Sequence, residues 1–470
     1  MRHTKRIISA VLITTLLMSI LGMTAVATSS DYTIKSGVLT GYTGSEVNLV
    51  IPDNLGITSI DMYAFSNCQT LNSVTIPANV SAVDSRAFAW CRALSSIAVA
   101  PGNTSYISVG GVLFTKDKTA LVAYPCGKTG AYVIPGGVKQ ILTMAFTGCE
   151  GLSAVTIPEG VTTIGGSAFS GCSALTSLAI PASVTDIQLD AFSSCRALTE
   201  LTVASKNSLY SSADGVLFSK DQTSLVSFPS GKAGNYNIPS GVKTIAAAAF
   251  INCDLLTGVK IPLGITKIGD LAFSGCTIMT KIVIPSSVTE IGYNAFSGCV
   301  NLTIYGTLGT TAETYAKANS LSFETMAVTA TPTAASVLVN GVAVKFEAYN
   351  INGNNYFKLR DLAKAVTGTD RQFEVGWNAD KFAISLTTGK SYTSVGGELT
   401  APSKTASVTA LFSTASVYMN GVEISLKAYN INDNNYFKLR DVAEAIDFGV
   451  TWNAEKSTIA IDTTQGYMFE

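Results

Sequence analysis

Hydrophobic and polar positions recur with a regular period through the first two thirds of the chain. In one representative unit, apolar and polar residues alternate over residues 152–157 and apolar positions recur over residues 161–164. Alternation of this kind predicts two short β-strands. Pro158 separates them, because proline cannot donate to a ladder of backbone hydrogen bonds. The unit ends with an Ala-Phe-x-x-Cys segment at residues 168–172.

The Ala-Phe-x-x-Cys segment occurs eight times, with successive phenylalanines 23, 58, 23, 23, 58, 23 and 23 residues apart. A unit this short cannot enclose its own apolar side chains, so neighbouring units must stack. The spacing therefore predicts a β-rich solenoid with internal ladders of two residue types. The ladder residues are Phe65, Phe88, Phe146, Phe169, Phe192, Phe250, Phe273, Phe296, Cys68, Cys91, Cys149, Cys172, Cys195, Cys253, Cys276 and Cys299.

Two repeats are longer than the others and predict inserted β-hairpins. In each, apolar runs flank a polar turn that contains Asp117 or Asp221. Two carboxylates can in principle work as a glycosidase pair. These two lie on separate hairpin tips, however, and aspartate favours turns, so we interpret both as turn formers.

A different repeat occupies the C-terminal third. Residues 348–366 and 428–446 match almost residue for residue at an offset of 80, and a Trp-Asn-Ala segment follows each, at Trp377 and Trp452. Turn dipeptides and apolar i, i+3, i+4, i+7 spacing predict the order strand–strand–helix–strand–strand in each copy. Two small α+β modules are therefore expected, with linkers at 325–336 and 394–409.

The first residues have the pattern of a secretory signal. A charged start is followed by an apolar stretch at 7–23 and by Ala-Val-Ala at 25–27. Cleavage after residue 27 is the expectation, and an uncleaved anchor is the alternative. Three of the 31 Lys and Arg residues and none of the 32 Asp and Glu residues lie in this segment, so cleavage leaves a mildly acidic chain. Without a basic run, nucleic-acid binding is not expected.

Histidine is confined to position 3, inside the predicted signal. The rest of the chain therefore cannot contain a Ser-His-Asp or Cys-His catalytic site, or a His-ligated zinc, copper or haem. We predict no enzyme activity, no catalytic or metal-binding residue and no cofactor. The repeated cysteines are expected to be buried free thiols, with disulfides between neighbours such as Cys68 and Cys91 as the alternative.

Polar strand positions that alternate with the apolar ones should face solvent and form the candidate binding face. This surface is flat and lacks aromatic anchors, which favours a protein partner over a sugar; an ordinary solvated sheet is the alternative. The candidate residues are Thr75, Thr156, Ser177, Thr202, Lys260, Lys281, Thr162, Lys243 and Lys267.

Two further motifs have simpler explanations than ligand binding. The Gly-Lys-Thr at 127–129 lacks the first glycine of a phosphate-binding loop and is better explained as a turn. Asn350, Asn352, Asn354 and Asp361 have the spacing of calcium ligands. The sharp-turn glycine of such a loop is missing, and a hairpin accounts for the same spacing.

Leu-x-x-Val-Thr-Ile-Pro, the Ala-Phe-x-x-Cys step and the Gly-Val-Leu-Phe hairpin all recur over roughly 290 residues. The region thereby resembles the BspA-like, or Treponema-type, leucine-rich repeats, with an N-terminal cap at 32–52 and a capping helix at 311–319. The resemblance implies a secreted or surface protein, since several members of that family are adhesins.

The C-terminal pair resembles the copper amine oxidase N-terminal-like module, a stalk on many exported proteins of Gram-positive bacteria. Oxidase activity in that family belongs to a separate domain with three histidine ligands, so the resemblance implies a spacer or wall-associated module.

The predicted organisation is a signal peptide at 1–27, a solenoid with caps at 28–325 and two modules at 334–392 and 410–466. We expect a secreted or cell-surface, non-enzymatic interaction or adhesion protein whose solenoid binds an extracellular protein. The alternative is an envelope protein whose C-terminal modules bind wall polymer and space the solenoid.

Overall fold

A computed structural model describes residues 27–378, 383–400, 406–413 and 415–468. The predicted signal peptide lies outside these residues except for Ala27. The chain divides into two compact units, with the boundary between Leu302 and Thr303. The segment 303–325, which the sequence analysis places with the solenoid, groups with the second unit in this division.

The first unit is a solenoid in which each short repeat contributes a longer and a shorter strand to two separate ladders of parallel strands. The longer strands are Asn48–Val50, Ser73–Ile76, Ser96–Val99, Gly130–Val133, Leu152–Thr156, Ser177–Ile180, Glu200–Val203, Gly234–Asn237, Leu256–Lys260 and Lys281–Val283. The shorter strands are Ser59–Ile60, Ala82–Val83, Gln140–Ile141, Thr163–Ile164, Asp186–Ile187, Thr244–Ile245, Lys267–Ile268 and Glu290–Ile291.

An antiparallel hairpin and two 3₁₀ turns occupy the start of this unit. The hairpin strands are Tyr32–Lys35 and Val38–Tyr42, and the turns are Ser29–Asp31 and Asp53–Leu55.

The two long repeats each insert three antiparallel strands, the third of which rejoins the solenoid. Leu121 pairs in parallel register with Ile141, and Leu225 pairs with Ile245. The predicted hairpins are therefore confirmed, and they extend the ladder of shorter strands. The strands are Tyr106–Val109, Val112–Thr115, Ala120–Ala123, Tyr210–Ala213, Val216–Ser219 and Ser224–Ser227.

Stacked aromatic rings form the core of the solenoid. The eight repeated phenylalanines are at most 3% exposed. The rings of Phe250 and Phe273 lie 4.7 Å apart with an interplanar angle of 11°. The long repeats continue the stack with other residues, since Tyr124 lies 4.9 Å from Phe146 and Phe228 takes the same place in the second long repeat. Offset stacking adds to the free energy gained from burying these rings.

The repeated cysteines connect neighbouring rungs. The thiol of Cys195 donates to the carbonyl oxygen of Phe169, at 3.0 Å, and the same bond joins Cys172 to Phe146. All nine cysteines of the chain are free thiols, and eight of them are buried. A small side chain that fills the core and also donates to a buried carbonyl suits this repeated position.

The second unit begins with a strand–helix–strand segment that packs on the rest of that unit. The strands Thr303–Gly306 and Ser322–Thr325 are parallel, and helix α1, Thr311–Ala318, connects them. The ring of Tyr305 stacks on Phe412 at 3.7 Å. These contacts explain why the segment groups with the second unit.

A closed six-stranded barrel lies at the centre of the second unit. Helices α2 (Leu359–Ala365) and α3 (Leu439–Ile446) follow its two central hairpins, so both copies contain the predicted element order, with three further strands before it. The predicted linker at 325–336 is wrong, because it includes the barrel strand Ala327–Pro332. The barrel strands, in spatial order, are Ala327–Pro332, Ala348–Ile351, Asn354–Lys358, Asn434–Lys438, Ala428–Ile431 and Val408–Phe412.

The two C-terminal copies are not separate modules, because their strands pair with each other around an approximate two-fold axis. Phe357 pairs with Phe437, its own counterpart 80 residues later, and Thr329 pairs with Thr409. Two four-stranded sheets also combine both copies. They contain Val342–Ala343, Ser336–Val339, Thr458–Asp462 and Gly449–Asn453, and Phe373–Asn378, Ala383–Thr388, Val417–Met419 and Val422–Ile424.

Candidate binding surfaces

The predicted binding face is divided between the two ladders of the solenoid. Six of its residues lie on the longer strands, and the other three lie on or directly before the shorter strands. They therefore do not form one surface. The first set is Thr75, Thr156, Ser177, Thr202, Lys260 and Lys281; the second is Thr162, Lys243 and Lys267.

The longer strands present polar side chains in the predicted register. Thr202 pairs with Ala179 and Lys260 pairs with Val283, whereas Ser177 pairs with Glu200, so polar and aliphatic side chains are mixed along the ladder. Thr156, Ser177, Thr202 and Lys260 are exposed, whereas Thr75 and Lys281 are half-buried. Parallel pairing at one register aligns these side chains in columns that a partner can contact over several rungs.

Thr162 and Lys267, two of the three candidates at the shorter strands, are already engaged within the solenoid. The hydroxyl of Thr162 donates to the carbonyl oxygen of Lys139, at 3.1 Å, and Thr266 makes the same bond to Lys243. Lys267 forms an ion pair with Glu290, at 2.6 Å, and this hydrogen bond raises the pKa of Lys267. These residues are less available to a partner than those of the longer strands.

The two hairpin carboxylates close turns, as predicted. Asp117 accepts hydrogen bonds from the backbone nitrogen of Thr119, at 3.0 Å, and from the hydroxyl of Thr115, at 2.7 Å. Ser219 and Thr223 make the same bonds to Asp221. These hydrogen bonds lower the pKa of both carboxyl groups, since they stabilise the charged form.

Two buried asparagines hold the long repeats in place, and they were not among the predicted residues. Asn103 and Asn207 are each 1% exposed. The amide nitrogen of Asn207 donates to the carbonyls of Pro181 and Val184, while its oxygen accepts from the backbone nitrogens of Leu209 and Tyr210, at 2.8–3.0 Å. Their shared position in the sequence could have identified them, because each lies three residues before the tyrosine that opens a long repeat.

No group of three or more Cys, Asp, Glu or His side chains is arranged to hold a metal ion within the described residues. In the same part of the chain, no helix combines the length and apolar character needed to cross a bilayer. The calcium-like asparagines lie in a hairpin, where the side-chain oxygen of Asn350 accepts from the backbone nitrogen of Gly353, at 3.1 Å.

A family model described as "BspA type Leucine rich repeat region" matches six copies over residues 33–117, 123–233 and 226–331, more than half of the chain. The chain belongs to the BspA-type leucine-rich repeat family. Its stacked parallel ladders are the fold expected of such repeats. The match ends at residue 331, within the first strands of the second unit. For the two C-terminal copies, the likeness to the amine oxidase N-terminal-like module stays a prediction.

Solved structures similar to this BspA-type protein include three bacterial proteins. A leucine-rich cell surface protein from Faecalibacterium prausnitzii is 26% identical and has a TM-score of 0.43, over 64% of this chain and 94% of the other. A leucine-rich repeat protein from Eubacterium ventriosum is 24% identical, with a TM-score of 0.38 over 65% and 83%. The pneumococcal vaccine antigen PcpA is 19% identical, with a TM-score of 0.40 over 60% and 82%. No curated protein matches significantly.

Proposed function

We propose that this chain is an exported, non-enzymatic surface protein whose solenoid binds an extracellular protein. The observation that carries the proposal is the ladder of longer strands, on which exposed polar side chains, among them Thr156, Thr202 and Lys260, recur over several BspA-type repeats. A broad surface of this kind suits a protein partner, because interfaces between proteins extend over many residues. Membership in a family of repeat regions supports the same conclusion.

Charge distribution suggests which part of the solenoid a partner would contact. The lysines among the candidate residues all lie between positions 243 and 281, whereas the candidates nearer the N-terminus are Thr and Ser. Within the described residues, Lys260 forms no ion pair, in contrast to Lys267, which pairs with Glu290. We infer that the partner presents an acidic surface to the longer strands around Lys260 and Lys281.

Charge reversal on each ladder tests this proposal. The chain from residue 28 onward is probed against an array of extracellular-matrix proteins, and any saturable partner is then titrated against two double variants. Lys260→Glu with Lys281→Glu should lower the affinity at least about tenfold, since like charges then face each other. Lys243→Glu with Lys267→Glu is the matched control on the shorter strands and should have a smaller effect.

Absence of saturable binding to any protein on the array would contradict the proposal. Equal losses from the two double variants would contradict the assignment of the binding face to the longer strands. Export is tested separately, by determining the N-terminal sequence of the protein recovered outside the cells, which should begin after residue 27.

A further inference from the structure

Two grooves in the second unit are related by its approximate two-fold axis. We call them the Trp452 groove, of about 870 Å³, and the Trp377 groove, of about 220 Å³. Each groove combines parts of both sequence copies. The Trp452 groove takes Arg440 and Trp452 from the second copy and the asparagine-rich turn with Asn354 and Asn355 from the first.

The Trp377 groove has the reverse composition. Arg360 and Trp377 come from the first copy, and the turn with Asn434 and Asn435 comes from the second. The supporting contacts repeat as well. The hydroxyl of Thr333 donates to the side-chain oxygen of Asn355, at 3.0 Å, and Ser413 donates to Asn435, at 2.8 Å. Both grooves therefore result from the pairing of strands between the two copies, and neither copy alone contains them.

The tryptophans of both grooves are unusually exposed. Trp452 is 47% exposed and Trp377 is 60% exposed. An indole left open in a concave polar groove provides a flat apolar surface for a ligand ring. This is the aromatic anchor that the face of the solenoid lacks.

The remaining lining of the Trp452 groove combines apolar residues, such as Val450 and Ile459, with polar and positively charged ones. Its side chains include hydroxyls, the amides of Asn354 and Asn355, and two cations, Lys438 and Arg440; none of its described lining residues is Asp or Glu. Asp441, outside the lining, shares an ion pair of 3.1 Å with Lys438. Amides and hydroxyls suit a ligand that both donates and accepts hydrogen bonds, and guanidinium suits carboxylate or phosphate.

We propose that the Trp452 groove binds an anionic glycan. A sugar ring stacks on the indole of Trp452, sugar hydroxyls pair with the Asn354 and Asn355 amides, and carboxylate or phosphate groups of the polymer face Arg440 and Lys438. The hydroxyl and amide groups beside the indole favour a sugar over a peptide that adds a strand to a sheet edge or lays an apolar helix in a groove. The site goes beyond the proposed function, since it lies in the other unit and takes a different class of ligand.

The Trp377 groove provides an internal comparison. Asp433 lines it at the place where the Trp452 groove has Gly353. A carboxylate there opposes an anionic ligand, and the groove is also smaller. We therefore assign anionic glycan binding to the Trp452 groove and expect the Trp377 groove to contribute little.

Intrinsic fluorescence tests the proposal in the chain from residue 28 onward. The chain contains three tryptophans, so the variant Trp90→Phe with Trp377→Phe leaves Trp452 as the only indole. Polygalacturonate supplies carboxylates, purified teichoic acid supplies phosphates and dextran is the neutral probe. We expect saturable quenching by one of the anionic polymers, weakened several-fold as sodium chloride rises from about 0.05 to 0.5 M, and no saturation with dextran.

Matched variants, measured by calorimetry with the polymer that binds, assign the site. Trp452→Ala and Arg440→Gln should each lower the affinity about tenfold or more, whereas Trp377→Ala and Arg360→Gln should change it less than about twofold. Trp452→Phe should retain most of the affinity because it keeps an aromatic face. Unfolding midpoints of all variants show whether the fold is kept.

Three outcomes would overturn the proposal. They are no saturable binding of either anionic polymer, equally tight binding of dextran, and an affinity that the Trp452→Ala and Arg440→Gln variants leave unchanged. None of them bears on binding of a protein by the solenoid, because the groove and the variants that assign the site lie in the second unit.

Discussion

The two units of this chain both consist of sequence repeats, but they use repetition differently. In the solenoid, repeats follow one another by translation, and each rung pairs with the rungs before and after it. In the second unit, two copies pair with each other around an approximate two-fold axis, so that Phe357 meets Phe437. Translation gives a structure that can be lengthened, whereas two-fold pairing gives one that is closed.

The difference determines where stability and binding sites arise. A translational repeat has mainly nearest-neighbour interfaces, so loss of one rung leaves the others with equivalent partners. In the second unit, three of the six barrel strands and half of each four-stranded sheet come from each copy. Its grooves depend on both copies, whereas the candidate face of the solenoid is built one rung at a time.

Removal of one repeat from each unit should separate the two cases most sharply. Deletion of residues 410–470 removes strand Thr458–Asp462, the partner of Ser336–Val339, and half of the barrel. We expect residues 327–400 to lose all protection from hydrogen exchange and proteolysis, since unpaired strand edges and buried aromatics become exposed.

The control deletion removes one solenoid rung, residues 158–180, which joins Ile157 to Pro181 and restores the Ile-Pro step. That variant should keep cooperative unfolding, with a lower midpoint. A protected, folded first copy in the truncated chain would show that the C-terminal copies are independent modules after all.

A single substitution in the stacked aromatic core should have the next largest effect. The ring of Phe169 lies 4.9 Å from Phe146 and 6.1 Å from Phe192 and is fully buried. Phe169→Ala should lower the free energy of unfolding by about 3–5 kcal/mol in a denaturant titration. Thr156→Ala, on the exposed face, should change it by less than about 0.5 kcal/mol. Equal effects would place Phe169 outside the core.

Local pattern was sufficient to predict the solenoid. A fixed period with Phe and Cys at constant positions in each repeat is compatible with few folds. In the structure, the stacked phenylalanine rings and the bonds from cysteine to carbonyl recur with the same period. The face was harder to predict, because alternation within a strand identifies exposed positions without identifying the ladder. Thr156 and Thr162 are only six residues apart, yet they lie on different ladders.

Pairing between the C-terminal copies was not predictable from a single sequence. The pattern of apolar positions identified the helix of each copy and the two strands on either side of it, but it carries no information on whether a strand pairs within its copy or with the other one. For the same reason, Trp377 and Trp452 were noted only as repeat markers. Their grooves require an arginine from one copy and an asparagine-rich turn from the other.

Substitution of a buried asparagine tests how the long repeats are joined to the solenoid. Asn207→Ala leaves two carbonyls and two backbone nitrogens without their partner. Because each unsatisfied buried group costs about 1–3 kcal/mol, we expect a loss of about 3 kcal/mol after partial relaxation. Asn79→Ala, at an exposed position, should change the free energy of unfolding by less than about 0.5 kcal/mol. If both variants are equally stable, the amide network does not anchor the long repeat.

Alkaline pH should weaken the two units at different pH values, and the contribution of a single thiol to this weakening is the smallest effect we expect. Burial raises the pKa of the Cys195 thiol to about 12 from an ordinary value near 9. The neutral thiol is thus favoured in the folded state, so its contribution is complete below pH 9 and is lost as the pH rises toward 12. One such thiol reduces the free energy of unfolding by about 1.4 kcal/mol per pH unit in this range. All nine cysteines lie in the solenoid, whereas the second unit has buried tyrosines, such as Tyr356, whose pKa is raised from 10.

Denaturant titrations at pH 8, 9 and 10, followed by hydrogen exchange, should therefore show the solenoid weakening about one pH unit before the second unit. Cys195→Ala should reduce the slope of stability against pH by the equivalent of one proton. Asn79→Ala is the control, because it removes an exposed side chain that does not ionise and should leave the slope unchanged. Unchanged slopes in both variants would mean that the ladder thiols ionise as readily in the folded solenoid as in the unfolded chain.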